Sequence, residues 1–194
     1  MSDIYIRQAT EEDAQEILDI YRPYIISTAI TFEYDVPDIS EFRQRIRNTL
    51  VRYPYIVAVE NEKIKGYAYA GTFKGRKAYD MDVELSIYID EDCKNRGLGR
   101  KLYTKLEEIL KLQNIINTYA CIATIDGAGD EYLNNDSMHF HEKLGFKLVG
   151  EFKKSGYKFN RWYDMVWMEK IIGNHNQIKD FIPYNDLDKE KIIF

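Results

Sequence analysis

Two features of this chain are placed to do chemistry. A strand-like run, Val83-Glu84-Leu85-Ser86-Ile87-Tyr88-Ile89-Asp90, leads into a charged turn and then into Gly97-Leu98-Gly99, at the head of an amphipathic stretch reaching Leu112. Two glycines at a strand-to-helix turn let backbone approach a ligand closely, and the first N–H groups of a helix lack intrahelical acceptors. An anion, above all a phosphate, suits such a turn. Asn95 to Arg100 is thus a candidate nest of N–H groups, with Lys94, Arg96 and Arg100 adding positive charge. The plain alternative is a tight strand–helix connection that binds nothing. Gly-x-Gly does not decide between them. Leu102 stands where a dinucleotide fingerprint has its third glycine, and the strand follows a hairpin instead of opening a βαβ unit. Alternation puts Val83, Leu85, Ile87 and Ile89 on one face of the strand and Glu84, Ser86, Tyr88 and Asp90 on the other. One carboxylate, Glu84, therefore lies on the strand leading to the candidate phosphate site.

The elements that must position these residues follow from patterning. Ile4 to Arg7 is a short strand candidate. Thr10 with Asp13 forms a variant capping box, and Ala14, Ile17, Leu18 and Tyr21 repeat at helical spacing, with Pro23 near that helix's end. Residues 26–37 are irregular, and a second helix starts near Ser40 with Phe42, Ile46 and Leu50 inward. Tyr55 to Glu60 and Ile64 to Thr72 make an antiparallel hairpin about Asn61-Glu62-Lys63. After the central helix, Thr118 to Thr124 is a strand, and residues 137–144 form a short helix stopped by Gly145. Phe146 to Phe152 and Lys158 to Lys170 complete a strand pair around Ser155-Gly156. The order β-α-α-β-β-β-α-β-α-β-β predicts an α/β fold, a mixed sheet with helices on its faces. One domain over residues 1–172 is expected, followed by an extended, partly ordered tail over residues 173–194.

Bulk properties narrow the class. In 194 residues, 45% are apolar and 30% charged, the balance of a soluble globular protein. A net charge of −5 and a pI near 5.3 argue against a nucleic-acid or anionic-membrane surface. No run approaches the ~18 apolar residues of a membrane span, and no secretory leader is visible, so a cytoplasmic location is expected. Cys93 and Cys121 have neither metal-ligand spacing nor the number for a disulfide framework, and no metal is called for.

Asn95-Arg96-Gly97-Leu98-Gly99-Arg100 after VELSIYID resembles the pyrophosphate loop of the GNAT superfamily of N-acetyltransferases, and FHEKLGF resembles that family's closing helix and strand. The resemblance runs over about residues 3–171. It is closest to the phosphinothricin acetyltransferase-like branch, through STAITFE, RYPYIVA, GYAYAGTFKGRKAYD, VELSIYI, GLGRKLYTKL and GYKFNRWYD, in that order.

What the resemblance implies is the GNAT fold, a central mixed and largely antiparallel sheet flanked by helices, and acetyl-CoA as co-substrate. Lys94 stands where the family has Gln or Arg, a small departure because the family loop holds phosphate through backbone amides. Ile87, Tyr88 and Ile89 match the segment whose main chain pairs with the pantetheine arm, and Asn134 matches an Asn that helps hold the cofactor. Glu84 matches the branch's catalytic Glu. An ammonium has no lone pair, so a carboxylate that takes its proton, directly or through water, could act as base. His141 takes the place of a Tyr thought to protonate the leaving thiolate. An imidazole near neutrality could do that, relay the amine's proton, or simply pack beside the cofactor. His139 lies roughly 200° away around the same helix and reads as surface.

For the acceptor, the resemblance points to the STAITFE loop, which carries Phe32, and to GRKAYD, where Arg76 could pair with a carboxylate and Tyr79 could wall the pocket. Glu33 replaces an Arg and Met81 a Trp of the herbicide-acetylating enzymes, which speaks against a phosphinate. Asp126, Asp130 and Glu131, in a longer loop, could favour a cationic acceptor or form a solvated run. The expected reaction is direct acetyl transfer to the primary amine of a small amino acid or analogue, without an acyl-enzyme on Cys93. A polyamine, an aminoglycoside or a protein N-terminus is the alternative acceptor, and an acetyl-CoA-binding module without turnover the alternative class. The aromatic NRWYD strand implies a homodimer.

Overall fold

Seven strands carry the molecule. In the computed structural model, which describes residues 4–194, they are β1 (Tyr5–Gln8), β2 (Tyr55–Glu60), β3 (Lys63–Thr72), β4 (Asp82–Ile89), β5 (Asn117–Thr124), β6 (Lys147–Lys158) and β7 (Arg161–Ile171). They form one sheet in the order β1-β2-β3-β4-β5-β7-β6, and only β4–β5 is parallel. Four helices cover it: α1 (Ala14–Ser27), α2 (Ile39–Arg52), α3 (Leu98–Leu112) and α4 (Asp136–Lys143).

The two faces follow from strand alternation. Ile56, Ala58, Ala68, Ala70 and Leu85 meet α3 through Leu98, Leu102, Leu106 and Ile109, spaced for one helical face. Val57, Val59 and Tyr67 point the other way, into a second core with α1 and α2. Glu84 is opposite Gly71 and belongs to this second face with Ser86 and Tyr88, which are opposite Tyr69 and Tyr67.

Both hairpins turn on two residues in the left-handed region, Asn61 (φ 51°) with Glu62 (φ 61°) and Phe159 (φ 52°) with Asn160 (φ 57°). The second is a correction, because the turn was expected at Ser155-Gly156. Those residues lie inside β6, where the register with β7 shifts between Phe152 and Gly156. The glycine is there for space: a Cβ on Gly156 would lie 2.1 Å from the Phe32 ring. Pro23 lies near the end of α1, as expected, and Tyr24 and Ile25 beyond it are buried and hold the last turn.

The tail packs on the α3 side of the β1 end of the sheet. Tyr184 is buried and donates to Gln8 Oε1 (2.9 Å), and the Gln113 side chain donates to the Ile182 carbonyl (2.8 Å). Among the described residues, no helix is long and apolar enough to cross a membrane.

Candidate active site

The β4–β5 ladder is short. It holds Asp82 against Asn117, Val83 against Thr118 and Glu84 against Tyr119, and then the two strands part. Each stays paired on its other side, β4 with β3 as far as Ile89 and β5 with β7 as far as Thr124. A cleft opens between Leu85–Tyr88 and Ala120–Ala123, with Tyr103 and His141 reaching it from α3 and α4. From Leu85 onward β4 lacks a strand partner on this side, so its main-chain groups there can pair with an extended ligand. Ile89 is partly engaged already, since its carbonyl accepts from the Tyr24 hydroxyl (2.6 Å).

At the far end of β4 the chain enters the glycine turn. Asn95 (φ 62°) and Gly97 (φ 78°) are left-handed, and Gly97 caps α3. Cys93 and Lys94 donate to carbonyls behind them, and Lys101 donates to Gly97, but no acceptor within the described residues meets the N–H groups of residues 95–100. Orphan amides gathered at a helix N-terminus suit a pyrophosphate, so acetyl-CoA fits the residues present. The expected positive rim is weaker than its sequence. Arg96 is held by Glu60 (2.6 and 3.1 Å), Lys94 lies 3.7 Å from Glu91, and Arg100 remains exposed, donating to the Lys143 carbonyl (3.2 Å). Gly99 serves packing, because a Cβ there would lie 2.9 Å from the Phe140 ring of α4.

Asn134 lies exposed ahead of α4, where it accepts from the Asp136 N–H (3.1 Å) and donates to the Asp136 carboxylate (2.9 Å). Its neighbour Asn135, overlooked in the sequence, joins α4 to the end of β5 through both the N–H (3.2 Å) and the carbonyl (2.9 Å) of Ile125.

Glu84 is half-buried where the cleft begins, and burial raises its carboxyl while the Lys74 charge partly offsets the rise. Lys74 is the residue that sequence reasoning missed in the GTFKGRKAYD loop. Its Nζ stands 5.2 Å from the Phe73 ring and 5.8 Å from Trp167, and Phe73 stacks on Tyr119 at 4.2 Å. Tyr119 is opposite Glu84, so this aromatic group holds the Lys74 ammonium near the carboxylate.

His141 departs from expectation. It is buried, and desolvation pulls its pKa down to about 4, far from a group that titrates near neutrality. Nδ1 lies 2.7 Å from the Ser137 carbonyl and must carry the hydrogen; Nε2 then accepts from the Tyr103 hydroxyl, 3.0 Å away. The neutral ring has no free N–H, and its acceptor nitrogen holds the one hydrogen of the Tyr103 hydroxyl, which borders the cleft. Burial holds that phenol well above its ordinary value, and Glu107, Tyr69 and Glu84 add to the effect.

On the acceptor side, Phe32 packs over Gly156, Tyr79 meets Phe73 edge-on at 6.1 Å, and Arg76 is exposed at the head of a short turn. Glu33 pairs with Arg45 of α2 (2.7 Å), which compensates its charge. The loop carboxylates are engaged as well: Asp126 with Lys153 (3.2 Å), and Asp130 (2.9 Å) and Glu131 (2.7 Å) with Arg161. They hold the loop to β6 and β7 and are poorly placed to attract a cationic acceptor. Cys93 is buried against Arg96, and Cys121 lines the cleft as an exposed thiol.

Comparison with known proteins gives this geometry a family. Residues 6–167 match the acetyltransferase (GNAT) domain model. The chain is 30% identical to the phosphinothricin N-acetyltransferase of Streptomyces coelicolor, over 87% of this chain and 96% of that one. It is 33% identical to an L-amino acid N-acyltransferase of Escherichia coli, over 84% and 91% respectively. A phosphinothricin acetyltransferase from Sinorhizobium meliloti, solved with acetyl-CoA, superposes with a TM-score of 0.83 at 30% identity, covering 96% of this chain and 97% of that one. The chain belongs to the GNAT family of acetyltransferases.

Proposed function

We propose that this acetyltransferase carries acetyl from acetyl-CoA directly to the primary amine of an L-amino acid or a close analogue. The observation that carries the reading is the placement of Glu84 where the β4–β5 ladder ends, with the orphan amides of residues 95–100 at the other end of the cleft wall. Acetyl-CoA supplies an activated thioester. The chain's amides would hold the pyrophosphate, and Leu85 to Ile89, with Ile87 least encumbered, would pair with the pantetheine arm. Glu84 would take the amine's proton, helped by a pKa that burial has raised. Tyr103, by turning its one O–H from His141 Nε2 toward the cleft, would donate a hydrogen bond to the departing sulfur. Lys74 and Arg76 would receive the acceptor's carboxylate, with Phe32 and Tyr79 as apolar walls.

The relatives support an amino-acid-like acceptor, since one acts on phosphinothricin and another on L-amino acids. A homodimer fits the exposed apolar side chains of edge strand β6, among them Leu148, Val149 and Phe152. A cytoplasmic location fits the need for acetyl-CoA. Thiol release on a panel of L-amino acids, methionine sulfone, methionine sulfoximine, phosphinothricin and polyamines tests the reading. Release with an α-amino acid supports it. Tight acetyl-CoA binding without release on any amine would instead make the protein a binding module.

A further inference from the structure

A second cavity, of about 320 Å³, lies beneath α2 and plays no part in the site described above. Its floor is Tyr55, Tyr67 and Tyr69, neighbours across β2 and β3 whose rings stand nearly parallel, Tyr55 and Tyr69 only 4.8 Å apart. Its roof is Phe42, Arg45 and Thr49. Tyr55 is 3% exposed and Tyr67 1%, and their hydroxyls, which meet no hydrogen-bond partner among the described residues, are not sealed from the open space of the cavity they line. They are therefore free to pair with a polar group that enters it.

The cavity and Glu84 share one sheet face. Tyr69 is opposite Ser86, and the next inward position of β3, Gly71, is opposite Glu84. Gly71 has no side chain, and a Cβ there would meet nothing nearer than the Glu84 carbonyl at 4.0 Å. The floor between Glu84 and the tyrosines is therefore open, and diagonal neighbours on a sheet are only about 7–8 Å apart.

We propose that this cavity receives the acceptor's side chain, and that the preferred acceptor is an α-amino acid with an aromatic ring bearing a polar group at its far end. The proposal rests on the acetyl-transfer reading and specifies its substrate. Ring walls favour an aromatic occupant. The unpaired hydroxyls of Tyr55 and Tyr67 suit a hydroxyl or N–H at its tip. An acidic tip is disfavoured, because Arg45 is already held by Glu33 (2.7 Å) and Glu41 (2.6 Å).

The test measures thiol release with L-tyrosine, L-phenylalanine and L-alanine, alongside calorimetric binding of L-tyrosine, in the native protein, Thr49→Phe and Tyr67→Phe. The native enzyme prefers L-tyrosine to L-alanine in kcat/KM by at least about tenfold, the scale set by filling an apolar pocket. Thr49→Phe, which narrows the cavity, lowers that ratio by about tenfold. Tyr67→Phe, which keeps the ring, lowers the preference for L-tyrosine over L-phenylalanine through KM. Equal use of L-tyrosine and L-alanine, or ratios unmoved by both variants, overturns the proposal. Without thiol release on any amine the acetyl-transfer reading fails, and calorimetry still decides: L-tyrosine binding weakened in Thr49→Phe keeps the cavity assignment, and no binding removes it.

Discussion

The Tyr103 hydroxyl stands 3.0 Å from His141 Nε2, while Nδ1 of the same ring faces the Ser137 carbonyl at 2.7 Å. With one nitrogen committed to a carbonyl, the other can only accept, so the histidine orients the phenol. Tyr103→Phe removes the hydroxyl that borders the cleft, whose one hydrogen must turn from Nε2 to reach the sulfur, and leaves the imidazole with one partner. The expected result is a fall in kcat of about 100-fold, the lower range for a lost proton-transfer group, with the KM for acetyl-CoA nearly unchanged. Steady-state kinetics check this. A variant with native kcat would remove Tyr103 from the chemistry.

The pH profile reports Glu84. As a base it works deprotonated, so kcat/KM falls as pH drops through its raised pKa, and Glu84→Gln abolishes that acidic limb along with most of the activity. Lys74 opposes the rise, so Lys74→Met moves the limb to higher pH. His141, pulled down to about 4, adds no limb near neutrality. Stability carries the opposite sign. A carboxyl with a raised folded pKa favours folding fully below its unfolded pKa, and this is lost as pH rises through the folded value. Glu84→Gln therefore unfolds at a higher temperature than the native protein at pH 7, as a thermal scan would register.

Gly97 and Gly99 separate two uses of glycine. Gly97 has φ 78° and open space around it, so Gly97→Ala costs about 1–2 kcal/mol of backbone strain and weakens acetyl-CoA binding by deforming the nest. A Cβ at position 99 instead pushes on Phe140 and so on α4, which carries His141. Gly99→Ala should lower kcat more than it weakens acetyl-CoA binding. Calorimetry paired with kinetics on both variants distinguishes the two effects, and matching losses in both would contradict the assignment.

Much of this was legible because local chemistry and global fold agree. The eleven helices and strands occur in the order their patterning predicts, and Asn61-Glu62 turns where two left-handed residues were needed. Ser155-Gly156 misled because a glycine beside a serine looks like a turn. What requires that glycine is the Phe32 ring, 124 positions away in sequence, and no local pattern carries such a contact. The charge of Arg96 was read correctly and its partner was not, since Glu60 reaches it from another strand. His141 looked like an imidazole free to titrate until its burial was visible. Alternation could put Tyr55, Tyr67 and Tyr69 on one face, but the space above them depends on how far α2 stands off the sheet.

Lys158 ties the acceptor loop to the sheet. The side chain is 2% exposed, and Nζ donates to the carbonyls of Ile25 (2.8 Å), Thr28 (2.9 Å) and Thr31 (2.8 Å). Ile25 and Thr28 lie at the C-terminal end of α1, where carbonyls lack intrahelical donors and a cation is favoured. Thr31 precedes Phe32, so one ammonium fixes both the end of the helix and the loop that walls the acceptor pocket. Lys158→Met keeps the apolar stem and removes every donor. Leaving these carbonyls unpaired costs about 1–3 kcal/mol, measurable by denaturant unfolding. If the loop positions Phe32, the KM for the acceptor rises several-fold while that for acetyl-CoA stays close to native. Lost stability with both KM values unchanged would show that Lys158 supports the fold without shaping the pocket.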